Sequence, residues 1–327
     1  MAYSLRKIQM AILALVITAT GSLQGNDDIL ASRGCYEAPC IPAECCYDPG
    51  SYPCCCRFFV DACLLYFRAF EGGLSSPCDS TQITDSTVGD VLVSTLHGDS
   101  HDPNFDWNLG FRIGAGYEFA NSNCDIGAYW TRYHAQTCNQ NGQNAHNWKI
   151  DFDVLDVVFS CACDWRSCFA VIPFVGLRYA SIDQRLRTNL VSTVDGTSFT
   201  STGNSKEDFY GVGPLFGIEG DVGIGCGLNL YGFGSVGVLY GRFHVRSNET
   251  EEVSTGIEVN YLRKCSLYCE PVFDAGVGIG WETCFCNNML VIFQLGFEHH
   301  QYFNQNQFCS YGDLSLDGIS LCVGIEF

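Results

Sequence analysis

The sequence predicts an all-β protein: a transmembrane antiparallel β-barrel of about ten strands, preceded by an irregular cysteine-rich N-terminal segment. Three observations carry this prediction. The last stretch alternates strictly, with Ile319, Leu321, Val323, Ile325 and Phe327 on one face and Gly318, Ser320, Cys322, Gly324 and Glu326 on the other, the two-residue period of a strand that is apolar on one side. An edge strand ending on an aromatic residue invites aggregation in water, whereas a closed barrel in a bilayer leaves no edge and turns its apolar face to lipid. The composition agrees: 35 glycines, 13% aromatic and only 16% charged residues, with a formal net charge of −19. A disordered acidic chain would lack the aromatics. Thirdly, the connections alternate, at roughly 31, 11, 23, 19 and 8 residues on one side against roughly 4, 5, 3 and 4 on the other, as outer loops and periplasmic turns do.

Residues 1–21 read as an export signal, with Arg6 and Lys7 before an apolar run from Met10 to Ile17 and the small residues Ala19-Thr20-Gly21 after it. The apolar run is too short to span a bilayer as a helix. Residues 22–56 form the cysteine-rich periplasmic segment and residues 57–327 the barrel.

Taken in order, Arg57 to Gly72 is apolar on both faces, so a strand competes there with an amphipathic helix. Pro77 to Pro103 is a polar loop. In Phe105 to Phe119, Phe105, Trp107, Leu109, Phe111, Ile113, Ala115, Tyr117 and Phe119 face one way, a length that covers the ~9–11 residues of a tilted membrane strand. Further strands are expected at Cys124–Ala135, Asn147–Ala162, Cys168–Asp183, Glu207–Val222, Cys226–Arg246, Ser266–Cys284 and Met289–Phe303. Within Asn147–Ala162 the apolar face switches from Ile150, Phe152 and Val154 to Leu155, Val157 and Phe159, which suggests a β-bulge.

The 21 cysteines imply an oxidising compartment, and their odd number leaves one free or joined to another chain. Fourteen are expected at the periplasmic rim as disulfide candidates: Cys35, Cys40, Cys45, Cys46, Cys54, Cys55, Cys56, Cys124, Cys161, Cys163, Cys168, Cys226, Cys284 and Cys286. Vicinal cysteines rarely close on each other. They therefore reach other partners, either within the rim or on neighbouring molecules. Paired Cys-x-x-Cys knuckles are absent, so no metal is expected.

The runs Phe59-Val60-Asp61-Ala62, Asp151 to Asp156, Pro173 to Tyr179, Gly241 to Arg246, Gly280 to Thr283, Phe303 to Phe308 and Gly312 to Leu316 resemble the Legionella-type and chlamydial major-outer-membrane-protein-like family of pore-forming proteins. The resemblance covers roughly Arg57 to Phe327. It implies a porin in the outer membrane of a Gram-negative-type bacterium and, from the cysteine-rich chlamydial side, an envelope cross-linked by disulfides to other envelope proteins or to copies of itself. No catalytic residue and no cofactor is implied.

On this reading the lumen is lined by Asp106, Asn108, Arg112, Glu118, Asp151, Asp153, Arg178, Glu219, Asp221, Asp274, Glu282, Gln294, Glu298 and Glu326, an acidic excess suited to small cations. The lumen glycines are expected to leave space for solutes. Ten strands nonetheless lie near the closed limit, because eight-stranded barrels are packed solid. A non-conducting structural or adhesive barrel is therefore the alternative. An enzyme is a further one, since ten-stranded outer-membrane proteases carry acids and histidine near the outer rim, where Asp183, His244 and His299-His300 fall. Phosphate loops, nucleotide fingerprints and basic nucleic-acid patches are absent from the sequence.

Overall fold

The computed structural model describes residues 57–72, 105–120, 122–141, 144–166, 169–194, 197–253, 256–285, 289–308 and 312–327. Residues 1–56, with the expected signal and the seven N-terminal cysteines, lie outside the described residues, as does the Pro77 to Pro103 loop. The strands are β1 (Arg57–Glu71), β2 (Asn108–Glu118), β3 (Cys124–Asn141), β4 (Asn144–Cys161), β5 (Cys163–Arg166), β6 (Phe169–Val194), β7 (Thr197–Gly225), β8 (Leu228–Val253), β9 (Gly256–Phe285), β10 (Met289–Asn306) and β11 (Gly312–Glu326). All neighbours are antiparallel. β1 pairs with β11 and β4 with β6, so ten strands close a barrel, and β5 is a short flap on the foot of β6.

The barrel is taller than its lipid-facing belt. On the outer face an apolar band runs from a lower aromatic row (Phe58, Tyr117, Phe119, Phe159, Phe327) to an upper one (Tyr66, Trp107, Trp130, Tyr179, Tyr210, Tyr240). Below the upper row the pattern is apolar outside and polar inside. Above it the pattern inverts. The outer face becomes Arg132, His134, Asp151, Asp153, Asp183, Arg185, Arg242 and His244, while Leu65, Phe67, Tyr133, Trp148, Ile150, Phe152, Ile182, Phe209, Phe243, Leu314 and Leu316 pack inside. A barrel in lipid hides its polar groups inward, and one in water hides its apolar groups inward; this chain does both in succession along the same strands.

That inversion corrects two expectations. The face switch in β4 is not a bulge: its register against β3 and β6 is unbroken from Ala145 to Ser160. Instead Leu155, Val157 and Phe159 face lipid and Ile150, Phe152 and Val154, of the opposite phase, face the upper core. β1 is apolar on both faces for the same reason, with Tyr66 outward and Leu65, Phe67 and Ala69 inward. The segments read as long loops at 136–146, 184–206 and 247–265 are largely continuations of the ladders into water, so most of the outer connections are tall hairpins.

The upper core packs side chains across the interior of the barrel. Edge-on and tilted ring contacts link Phe152 with Tyr302 (5.3 Å), Trp148 with Phe308 (5.6 Å) and Phe209 with Phe243 (4.5 Å). Phe105 and Phe308, from segments beyond strand ends, fold in and are buried. Nor do the interior glycines leave space for solute. A Cβ on Gly114 would lie 2.5 Å from the Tyr129 ring, and one on Gly278 would lie 2.6 Å from that of Tyr231, so these glycines admit aromatic rings.

Candidate functional site

Directly beneath the apolar core, a charged layer crosses the bore at the height of the upper aromatic row. Each member is placed by the ladder. Asp274 on β9 stands opposite Ser235 on β8 and His300 on β10. Both neighbours bond to it, Ser235 Oγ donating to Oδ2 at 2.8 Å and His300 Nδ1 meeting Oδ1 at 2.8 Å. Asp156 on β4 stands opposite Arg178 on β6 and accepts Nε and Nη2 at 2.7 and 2.8 Å. Arg178 then crosses the lumen, its Nη1 reaching Asp274 Oδ2 at 2.7 Å.

Glu298 on β10 has glycine on both sides in register, Gly276 and Gly318, which clears room for a long partner. Arg112 on β2 fills it, donating Nη1 and Nη2 at 3.2 and 2.7 Å, with Nε on Thr131 Oγ1 at 3.1 Å. His300 closes the circuit, since Nε2 lies 3.0 Å from Glu298 Oε2. Both of its ring nitrogens face carboxylate oxygens, an arrangement satisfied when both donate. Arg112, Arg178 and His300 then balance Glu298, Asp274 and Asp156. Asp274 and Glu298 are nearly water-free, at 3% and 4% exposed, while Asp156 and Arg112 keep 15% and 21% exposure. Buried ions need this degree of pairing, because a charge without a partner in low dielectric costs several kcal/mol.

Of the residues expected to line the lumen, the layer unites Arg112, Arg178, Asp274 and Glu298. Glu118, Glu219, Asp221, Glu282 and Glu326 point inward nearer the end that carries Arg57 and Phe327. There Asn229 Nδ2 donates to Asp221 (2.7 Å) and Glu282 (3.0 Å), while Arg57 lies 3.7 Å from Glu326. Asn108 and Gln294 are also inward. Three expectations are corrected. Asp106 precedes β2 and is exposed, and Asp151 and Asp153 lie on the outer face with His134 and Arg132 as partners. The unbulged β4 ladder turns both outward and brings Asp156 in. His300 is the other member that sequence reasoning missed; the alternation of β10 puts it on the Glu298 face, while His299 points outward to Asp317. The two histidines thus stand on opposite sides of the wall.

Among the disulfide candidates, Cys124 is joined to Cys161 across β3 and β4, Cys226 is disulfide-bonded, and Cys163 is free and exposed. Cys168, Cys284 and Cys286 have no described side chains. A disulfide not expected from sequence, Cys63 to Cys322, ties β1 to β11 inside the barrel. Among the described residues no group of His, Cys, Asp and Glu side chains could hold a metal ion.

A closed ten-stranded barrel with a lipid belt, two aromatic rows and an ionic interior defines an outer-membrane β-barrel protein. Residues 53–321 match the family model described as Legionella pneumophila major outer membrane protein precursor, and the chain belongs to that family. It is an outer-membrane protein. Among solved structures it is similar to the outer membrane protease OmpT from Escherichia coli, at 8% identity and TM-score 0.40, covering 83% of this chain and 96% of that one. It is also similar to Ail, the attachment invasion locus protein of Yersinia pestis, at 11% identity and TM-score 0.23, covering 83% and 98%. A major outer membrane protein from Thermus thermophilus matches at 12% identity and TM-score 0.28, covering 83% and 99%. The search of curated proteins finds no match.

Proposed function

We propose that the protein is a structural barrel of the outer membrane, closed to solutes in the conformation described. The observation that carries this reading is the packing of the interior: a six-residue ionic layer reaches across it, and an apolar core with buried rings lies above. For solute to pass, two successive layers of different chemistry would have to part. No catalytic step is proposed. The test is the conductance of the refolded chain in a planar bilayer, where the proposal expects none above the lipid baseline.

The porin implied by the family resemblance is a second reading, favoured by the inward carboxylates Asp61, Glu118, Asp125, Glu219, Asp221, Glu282 and Glu326 near the periplasmic end. Such a lining would select cations. Steady cation-selective steps in the same recording would establish it in place of the first.

We also propose that the N-terminal cysteines, Cys35 to Cys56, cross-link the protein to neighbours in the oxidising periplasm. Non-reducing electrophoresis of envelopes with thiols blocked at lysis is expected to give high-mass species that collapse on reduction. A monomer under both conditions would refute it.

A further inference from the structure

The outer face of β6 to β9 carries a pattern that neither barrel closure nor permeation explains. Arg185 pairs in register with Lys206, Lys206 with Arg246, and Arg246 with Arg263, so four cations lie side by side on four adjacent strands. Like charges directly opposite on a sheet destabilise it, and the chain as a whole is strongly acidic, with 17 basic against 36 acidic residues. Lys206 has a carboxylate, Asp208, at 2.7 Å. Arg185, Arg246 and Arg263 have no ion pair among the described residues, and neither has Arg242, which stands outward opposite Tyr210 and Leu267.

Beneath this row lies an apolar foot continuous with the lipid belt. Tyr179, Tyr210, Val212, Tyr240 and Leu267, all outward and exposed, line a shallow hollow of about 280 Å³ with Arg242 at its upper lip. Hydrocarbon below and unpaired guanidinium groups above match one kind of occupant, an amphiphile with acyl chains and an anionic head. Height narrows the head further. Arg242 is two residues above Tyr240 and the cationic row four to six residues above the tyrosines and Leu267, so a tilted strand places them roughly 5 Å and roughly 10–15 Å above the belt. A phospholipid head region is only about 5–8 Å deep on each side, which reaches Arg242 but not the row.

We propose that this face binds a phosphorylated glycolipid of the outer leaflet, its acyl chains on the Tyr179–Tyr210–Tyr240 hollow, one phosphate at Arg242 and the phosphates of its sugar head on Arg185, Lys206, Arg246 and Arg263. Guanidinium groups suit phosphate because they donate two parallel hydrogen bonds to it. Lys206 is already paired with Asp208, which stands opposite Asp183 on the same outer face; the occupant supplies negative charge to the three arginines that have no such partner. The site lies on the outside of the wall and does not depend on whether the bore conducts.

The test uses the full chain refolded in detergent and three probes: lipooligosaccharide with a phosphorylated inner core, the same material after enzymatic dephosphorylation, and phosphatidylglycerol. Wild-type protein is expected to retain the phosphorylated probe at least about tenfold more tightly than either other lipid, the loss expected when even one charge-assisted contact is removed. The Arg185→Ser/Arg246→Ser/Arg263→Ser variant is expected to lose that preference. Arg132→Ser, an outward cation on β3 away from the face, is expected to keep it. If the triple variant does not give the folded band on an unheated gel, Arg246→Ser alone, within the row that a phospholipid head does not reach, is read in the same way with a smaller loss. Equal retention of the three lipids by wild type, or an unchanged preference in a folded triple variant, would overturn the proposal. So would displacement of the glycolipid by inorganic phosphate as effectively as by its own phosphorylated head, which would mark a free-anion site.

Discussion

Replacing Arg178 with leucine removes the one side chain that bridges the bore from β6 to β9. Three charge-assisted hydrogen bonds vanish, two to Asp156 and one to Asp274. At roughly 1.5–3 kcal/mol each they sum to roughly 5–9 kcal/mol, but that sum overstates the loss. Asp274 keeps Ser235 and His300. Asp156 loses its direct arginine partner, yet Arg112 still acts on it through space, and its side chain is 15% exposed and regains some hydration. The cost of stranding a buried charge, about 3–5 kcal/mol, is therefore the better bound, and Arg178→Leu is expected near its lower end. Arg132→Leu is the matched control. Its pair with Asp153 is 3.8 Å long, with side chains 53% and 34% exposed, and is worth less than about 1 kcal/mol. Urea titration in micelles, following the folded band on unheated gels, measures both. If the two variants shift the midpoint equally, the charged layer is not the cohesive element described above.

Three other perturbations test the wall. Glu207 sits above the upper aromatic row, fully buried, with Oε2 on the Gln307 backbone N–H at 2.8 Å, and burial pushes its carboxyl up to about 8. A carboxyl raised by folding stabilises below its unfolded value and loses that contribution as pH rises through the folded one. Stability should therefore fall by about 2–3 kcal/mol between pH 6 and 9, and Glu207→Gln should flatten the slope; an unchanged slope would exclude this group. In β9, Val277→Arg puts a cation in the lipid belt and should cost roughly 2–4 kcal/mol. Gly278→Ala should cost about 1–3 kcal/mol although it points inward, because its Cβ would lie 2.5 Å from the Leu295 carbonyl oxygen. Unimpaired refolding of Gly278→Ala into lipid would show that the β9–β10 ladder at Leu295 and the Tyr231 ring both yield.

Most of the strands and their closure were legible in the sequence because a wall with one apolar face writes a two-residue alternation along each strand. Legibility failed where the environment changed along one strand. Ile150, Phe152 and Val154 carry the same alternation as Leu155, Val157 and Phe159 in the opposite phase, and only the surroundings show that one set meets an apolar core and the other meets lipid. Misplacing that boundary turned Asp151 and Asp153 inward on paper and hid Asp156. The upper hairpins were obscured in the same way, since their outward residues are polar and resemble loops. Arg112, Arg178, Asp274 and Glu298 were readable as inward. That Arg112 would meet Glu298 and Arg178 would meet Asp274 was not, because those contacts cross the bore between strands that are not adjacent.

The central claim, that charged layer and apolar core together close the bore, is tested most directly by single-channel recording of the refolded full-length protein in a planar bilayer. Closure predicts a flat trace for wild type and also for Arg178→Leu, since the apolar core above the layer remains in place. Discrete cation-selective steps in the wild-type trace would contradict it.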